Sequence, residues 1–163
     1  AILEQLDDGR GGASVGAVLI RDGSLYYAVA GNVRIAVLRR GSLIPVSSGH
    51  TIDVLAGDRF VEGRITREQA LRMLEDTRLY NYVGQDGFRE IEFVDKPIKL
   101  KDKDIVALMS DGLYEGLEWR VIEEVLSGKG KCQQKACDIV ELINADSRKG
   151  KDNGGIVLVE VAS

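Results

Sequence analysis

Asp111 closes the apolar run Ile105-Val106-Ala107-Leu108-Met109-Ser110, and Asp152, followed by Asn153-Gly154-Gly155, opens the run Ile156-Val157-Leu158-Val159. Short runs of this kind read as buried strands, which puts both carboxylates at strand ends, where side chains converge on a site. Hard oxygen ligands on rigid elements are what Mg²⁺ and Mn²⁺ take. Either aspartate alone could simply cap a turn, as Asp before Gly often does. Asp111 and Asp152 are therefore the candidate metal ligands, and no nucleophile or cofactor-binding loop stands out beside them.

Other chemistry-bearing residues point elsewhere. His50 is the only histidine and the obvious general acid. It falls at the start of a helix after a run of strands, so a structural or surface role is expected. No Ser-His-Asp or Cys-His set can be assembled around it, which excludes the common nucleophilic hydrolases. Cys132 and Cys137, the only cysteines, fall on different faces of a helix and should remain unpaired, as small buried residues suited to a reducing cytoplasm. Asp8-Gly9-Arg10-Gly11-Gly12 reads as a flexible lead-in. Glu115 and Glu118 read as a solvated helix start, Trp119 as filling a groove, and Lys129, Lys131 and the cluster from Arg148 to Lys151 as exposed loops.

The elements that must hold the two aspartates come from 163 residues, enough for one domain with a real core. An apolar fraction of 44% argues against disorder. A net charge of -4 without a dense basic block argues against nucleic acid. No run is long enough to span a membrane, and no basic-then-apolar leader opens the chain. A cytoplasmic protein is expected.

Four runs, Ala13 to Ile20, Ser24 to Ala30, Val33 to Leu38 and Leu43 to Val46, are separated by Asp22-Gly23, Gly31-Asn32 and Arg40-Gly41-Ser42. Such connections predict an antiparallel meander, and apolar residues on both faces predict a sheet covered on both sides. Ile52, Leu55, Ala56 and Phe60 predict a helix, and Thr66 with Gln69 a capping box opening another at Arg67 and running to about Glu75. The segment from Thr77 to Gly87 should be irregular, with short strands at Glu90 to Val94 and Pro97 to Leu100. Helices are expected through Leu117 to Leu126 and Lys131 to Ser147, and a closing strand from Gly155 to Val161. The order of elements suggests α+β.

Three stretches carry a family resemblance. The stretch from Gly12-Ala13-Ser14 through Leu25-Tyr26-Tyr27-Ala28-Val29-Ala30-Gly31-Asn32-Val33-Arg34 is similar to a strand-turn-strand that ends in Gly-Asp-Ser-Arg. Gly63-Arg64-Ile65-Thr66-Arg67-Glu68-Gln69-Ala70 resembles a "G-x-I-T-x-E-x-A" segment. Asp104 to Leu113, followed by Lys151-Asp152-Asn153, resembles two C-terminal metal-ligand motifs. In this order they resemble the PP2C-type (PPM) metal-dependent Ser/Thr protein phosphatases, bacterial branch.

The resemblance implies an antiparallel β-sandwich flanked by helices, with two Mn²⁺ or Mg²⁺ ions at one end. It also implies hydrolysis of phosphoserine and phosphothreonine in protein substrates by a metal-activated water. Asp111 and Asp152 map onto metal ligands, and the Gly112 backbone lies beside the metals. Arg34 would tie strands together, and Asn32, in place of the motif's Asp, would be a left-handed turn residue. Gly49 stands where an Asp commonly precedes the His matched by His50. The family's upstream strands, helices and Asp-Gly-His-Gly-Gly motif have no counterpart here, so the sandwich is expected to be incomplete at its N-terminal side. The expected parent is a longer phosphatase. The alternatives are a catalytically inactive binding module, a phosphatase acting on sigma-factor regulators, or ligands supplied by another chain.

Overall fold

The computed structural model describes residues 11–145 and 152–162, folded as two antiparallel sheets stacked face to face with helices against one of them. The first hairpin pairs β1 (Val15–Arg21) with β2 (Ser24–Ala30) around Asp22 and Gly23. Both turn residues have positive φ, 50° and 65°. That geometry matches the right-handed twist of the flanking strands. A second hairpin, β3 (Arg34–Arg39) with β4 (Ser42–Pro45), turns on Arg40 and Gly41 in the same way, so its connection is two residues rather than three.

The four strands do not make one meander. The chain leaves β2, passes Gly31 and enters the other sheet, so β2 and β3 are not neighbours. Gly31 has φ 95°, and Ser14 occupies the space that its side chain would need. A crossing this tight requires glycine. The first sheet gains β5 (Glu92–Phe93) and β6 (Ile98–Lys99), which both pair with β2. The second runs β4-β3-β7-β8, with β7 (Ile105–Met109) between β3 and β8 (Ile156–Glu160). All four of these later strands fall within the runs expected from sequence.

Alternation in β3 and β7 sends residues to two cores. Ile35, Val37 and Val106 meet Leu25 and Val29 between the sheets. Ala36, Leu38, Ile105, Ala107 and Met109 face outward against helices α4 (Trp119–Ser127) and α5 (Cys132–Ala145). The expectation of burial on both sides thus holds for the second sheet. It fails for the first, whose outer face leaves Val15 48%, Leu19 60% and Phe93 65% exposed. Composition cannot separate the two cases, because each sheet carries apolar residues on both faces.

Polar contacts tie the sheets together. The Arg39 guanidinium, from β3, donates to the Lys99 carbonyl at 2.6 Å and pairs with the buried Asp104 carboxylate at 2.6 Å. Burial alone would raise the Asp104 carboxyl. Hydrogen bonds from Arg39 and the Lys101 N–H together outweigh it and hold the group below the usual carboxylate range. Tyr27, from β2, donates its hydroxyl to the Val46 carbonyl at 2.5 Å.

Helix α1 (Ile52–Val61) buries Ala56, and α2 (Arg67–Leu71) opens on the expected capping box. Thr66 Oγ1 accepts from the Gln69 N–H at 3.2 Å, and Gln69 Oε1 accepts from the Thr66 N–H at 2.8 Å. This helix stops at Leu71, short of Glu75. Trp119 sits over the second core and donates its indole N–H to the Leu43 carbonyl at 2.9 Å. Both cysteines are free thiols, but Cys137 is exposed and Cys132 half-buried, against the expectation of burial. Lys129 and Lys131 are exposed, as expected. Asp8, Gly9 and Arg10 of the expected lead-in, Ser147 and the cluster from Arg148 to Lys151 lie outside the described residues.

Candidate metal centre

Antiparallel pairing of β7 with β8, from Ile105 opposite Glu160 to Met109 opposite Ile156, brings the end of one strand beside the start of the other. The ladder continues beyond both strands. The Ser110 N–H donates to the Gly155 carbonyl at 3.0 Å, and the Gly155 N–H donates to Ser110 Oγ at 2.8 Å. Asp111 follows immediately, as the first residue of a single helical turn, α3 (Asp111–Tyr114), that the sequence reading did not anticipate. Its position there is electrostatically favourable, because the first N–H groups of a helical turn point at it.

The two acidic turns touch through backbone. A methyl group at Gly112 would lie 2.6 Å from the Asn153 carbonyl oxygen and 3.0 Å from that of Asp152. Only a residue without Cβ lets the chain approach so closely. Asp111 Oδ1 accepts from the Gly112 N–H at 2.8 Å, while the exposed Asp152 uses Oδ1 to accept from the Asn153 N–H at 3.0 Å.

The second oxygen of Asp111 has a partner that the sequence did not announce. Asn32 Nδ2 donates to Asp111 Oδ2 at 2.7 Å. Asn32 is only 8% exposed and every polar group of its side chain is engaged. The Ser14 hydroxyl donates to its Oδ1 at 2.8 Å, its own N–H donates to Ser14 Oγ at 3.2 Å, and the Tyr114 hydroxyl donates to its carbonyl at 2.7 Å. Gly31, not Asn32, carries the positive φ. The reading of Asn32 as a left-handed turn residue is therefore corrected: it is a buried donor aimed at a carboxylate. The available signal was an amide where the family motif has an acid.

Arg34 lies over the Tyr114 ring, 5.1 Å from its centroid. Glu115, just past α3, is exposed but stands in the field of the site. Partial burial, then repulsion from Asp111, Asp53 and Asp152, raises its carboxyl above the ordinary value, and Arg34 opposes this. Glu118 is an exposed helix cap, as expected. His50 is 5% exposed, so its role is structural rather than on the surface. Its Nδ1 accepts from the Gly31 N–H at 3.1 Å and contacts Asn81 Nδ2 at 3.0 Å, and its own N–H donates to the Gly31 carbonyl at 2.8 Å. Next to it, Gly49 has φ 77° and packs on Gly31 and Asn32, which explains why a side chain is absent there.

Beside Asp111 is an open cleft of about 420 Å³, lined by Ser14, Asn32, Leu79, Tyr82 and Ser110 among others. Asp111 and Asp152 offer two hard-oxygen side chains from adjoining turns, a donor pair that suits Mg²⁺ or Mn²⁺. Among the described residues, no group of three or more His, Cys, Asp or Glu side chains is arranged to hold a metal ion. The two turns that carry these carboxylates meet through their backbone at Gly112, and an ion held there would draw further ligands from elsewhere, water included.

No family model matches the chain. A Streptococcus pyogenes protein named as of the protein phosphatase 2C type is 28% identical over 158 residues, 96% of this chain and 61% of that protein. The serine/threonine phosphatase stp of Listeria monocytogenes is 27% identical over 150 residues, 91% of this chain and 56% of its own length. The solved structure of the S. agalactiae serine/threonine phosphatase superposes with a TM-score of 0.76 at 25% identity, covering 99% of this chain and 64% of that one. The chain is similar to bacterial serine/threonine phosphatases of the 2C type over nearly its whole length. It spans about three fifths of the length of the curated relatives it matches. The sandwich is also that of the catalytic domain of the phosphatase PstP, solved in complex with two manganese ions, at a TM-score of 0.63 and 24% identity.

Proposed function

We propose that this chain forms part of a metal-dependent protein serine/threonine phosphatase of the 2C type in bacterial signalling, with Asp111 and Asp152 as ligands to Mn²⁺ or Mg²⁺. The observation that supports this reading best is the contact of the two acidic turns at Gly112, which places two carboxylate-bearing strand ends side by side. The chemistry that a bound divalent ion supplies is activation of a water for in-line attack at phosphorus and relief of charge on the phosphoryl oxygens. The chain's own residues bind and orient. Asp111 presents a carboxylate fixed by two N–H donors, Asp152 presents one from the facing turn, and the cleft gives a phosphorylated side chain room to approach. The remaining ligands lie outside this pair. Phosphoserine and phosphothreonine proteins are the substrate class.

Manganese-dependent hydrolysis of p-nitrophenyl phosphate and of a phosphothreonine peptide tests the proposal. Asp111→Ala and Asp152→Ala should each lower the rate roughly 100-fold, about 2.7 kcal/mol of the stabilisation that metal assistance supplies. Activity indifferent to both changes removes these residues from the chemistry. Peptide binding without hydrolysis in the unaltered chain favours the binding-module reading, which the shortage of a third ligand among the described residues also supports.

A further inference from the structure

We infer that Asn32 is the positioning residue for Asp111: its amide fixes the carboxylate in the rotamer that presents a divalent cation with its free lone pairs. The inference rests on the metal-ligand reading above and goes beyond it, by assigning work to a neutral side chain that binds nothing itself. An aspartate on its own can rotate its carboxyl group and offer either oxygen in several directions. Here each oxygen already accepts one N–H, Oδ2 from Asn32 at 2.7 Å and Oδ1 from Gly112 at 2.8 Å. The plane of the group is set, and the remaining lone pairs are the ones left for a metal.

The donor is itself held at three points. Ser14 donates its hydroxyl to Asn32 Oδ1 and accepts the Asn32 N–H, which decides that the NH₂ end of the amide faces Asp111. Tyr114, from the turn that carries Asp111, holds the Asn32 carbonyl. Gly31 admits Ser14 into this arrangement, since any side chain at 31 would occupy the same space. The residue type follows from charge. A carboxylate at 32 would face another at hydrogen-bond distance, and the pair would share a proton or recruit its own cation. An amide gives Asp111 a donor without a charge and leaves its anion intact.

The test is Mn²⁺ binding to this chain by titration calorimetry, with the Asn32 side-chain amide followed in ¹⁵N–¹H spectra. Asn32→Leu should bind Mn²⁺ about tenfold more weakly, the usual effect of removing a group that orients a metal ligand. Ser47→Ala removes a buried hydrogen bond between Ser47 Oγ and the Ile35 N–H, which involves neither Asn32 nor Asp111, and should lower the melting temperature without changing Mn²⁺ affinity. In the unaltered chain, substoichiometric Mn²⁺ should broaden the Asn32 amide signal; in Asp111→Asn the broadening should vanish. If Asp111→Asn loses Mn²⁺ while Asn32→Leu stays within twofold of the unaltered chain, the positioning role is overturned and the metal reading stands. If Asp111→Asn binds as well as the unaltered chain, or the unaltered chain binds no Mn²⁺, the metal reading itself falls.

Discussion

The two sheets are built from similar residues and meet opposite fates on their outer faces. On the second, Ala36, Leu38, Ile105, Ala107 and Met109 are packed under α4 and α5. On the first, Val15, Leu19, Tyr26 and Phe93 remain open to water. A contiguous apolar face of this kind marks a contact surface more often than a tolerated exposure. The candidate centre straddles the difference. Asp111 and Asp152 stand on the doubly packed sheet, where strand ends are rigid, while Ser14 lies on the approach to the bare sheet and Asn32 at the crossing between them.

The largest expected effect is on the packed side. Ile122→Ala, at a fully buried position on the inner face of α4, should cost about 2–5 kcal/mol in urea unfolding. A loss below about 1 kcal/mol would mean that the helical layer is loosely docked. Next comes the polar tie between the sheets. Asp104→Asn leaves Arg39 without its carboxylate and should cost about 2–3 kcal/mol at neutral pH. Because the folded Asp104 carboxyl sits below its unfolded value, its contribution is present above about pH 4 and lost as pH falls through the folded pKa. The stability gap between the two proteins should therefore close in acid, and a gap independent of pH would separate Asp104 from the charge of Arg39.

Gly112→Ala should cost about 1–3 kcal/mol, since the added methyl must push the facing carbonyl away. It should weaken Mn²⁺ binding with both aspartates still present, and calorimetry checks this directly. Smallest is Leu19→Ser on the bare face, expected within about 0.5 kcal/mol. A penalty above about 1.5 kcal/mol that depends on protein concentration would mean that this face is covered by association in solution.

Local chemistry was legible wherever a short segment decides its own structure. Asp22-Gly23 and Arg40-Gly41 turn hairpins, and Thr66 with Gln69 caps a helix, because each contact lies within a few residues in sequence. The run ending at Asp111 read correctly as a strand because burial on both faces makes it uniformly apolar. What escaped was the partition of the four early strands between two sheets. Gly31-Asn32 looks like a hairpin turn until Ser14, distant in sequence, fills the space beside Gly31. The Asn32 contact with Asp111 escaped for the same reason, since it joins residues that only the stacked sheets bring together. The short turn after β7 carries too little periodicity to read, and a bare sheet face has the same composition as a covered one.

The missing side chain at Gly112 bears on ion selectivity in the proposed metal site. Since main chain rests on main chain there, the gap between the two acidic arms is set by a fixed spacer rather than by adaptable rotamers. Lengthening one arm by a methylene, as in Asp152→Glu, changes the bite while the spacer stays constant. On the proposed metal-ligand reading, discrimination between a small and a large divalent ion would then be adjustable in single-carbon steps.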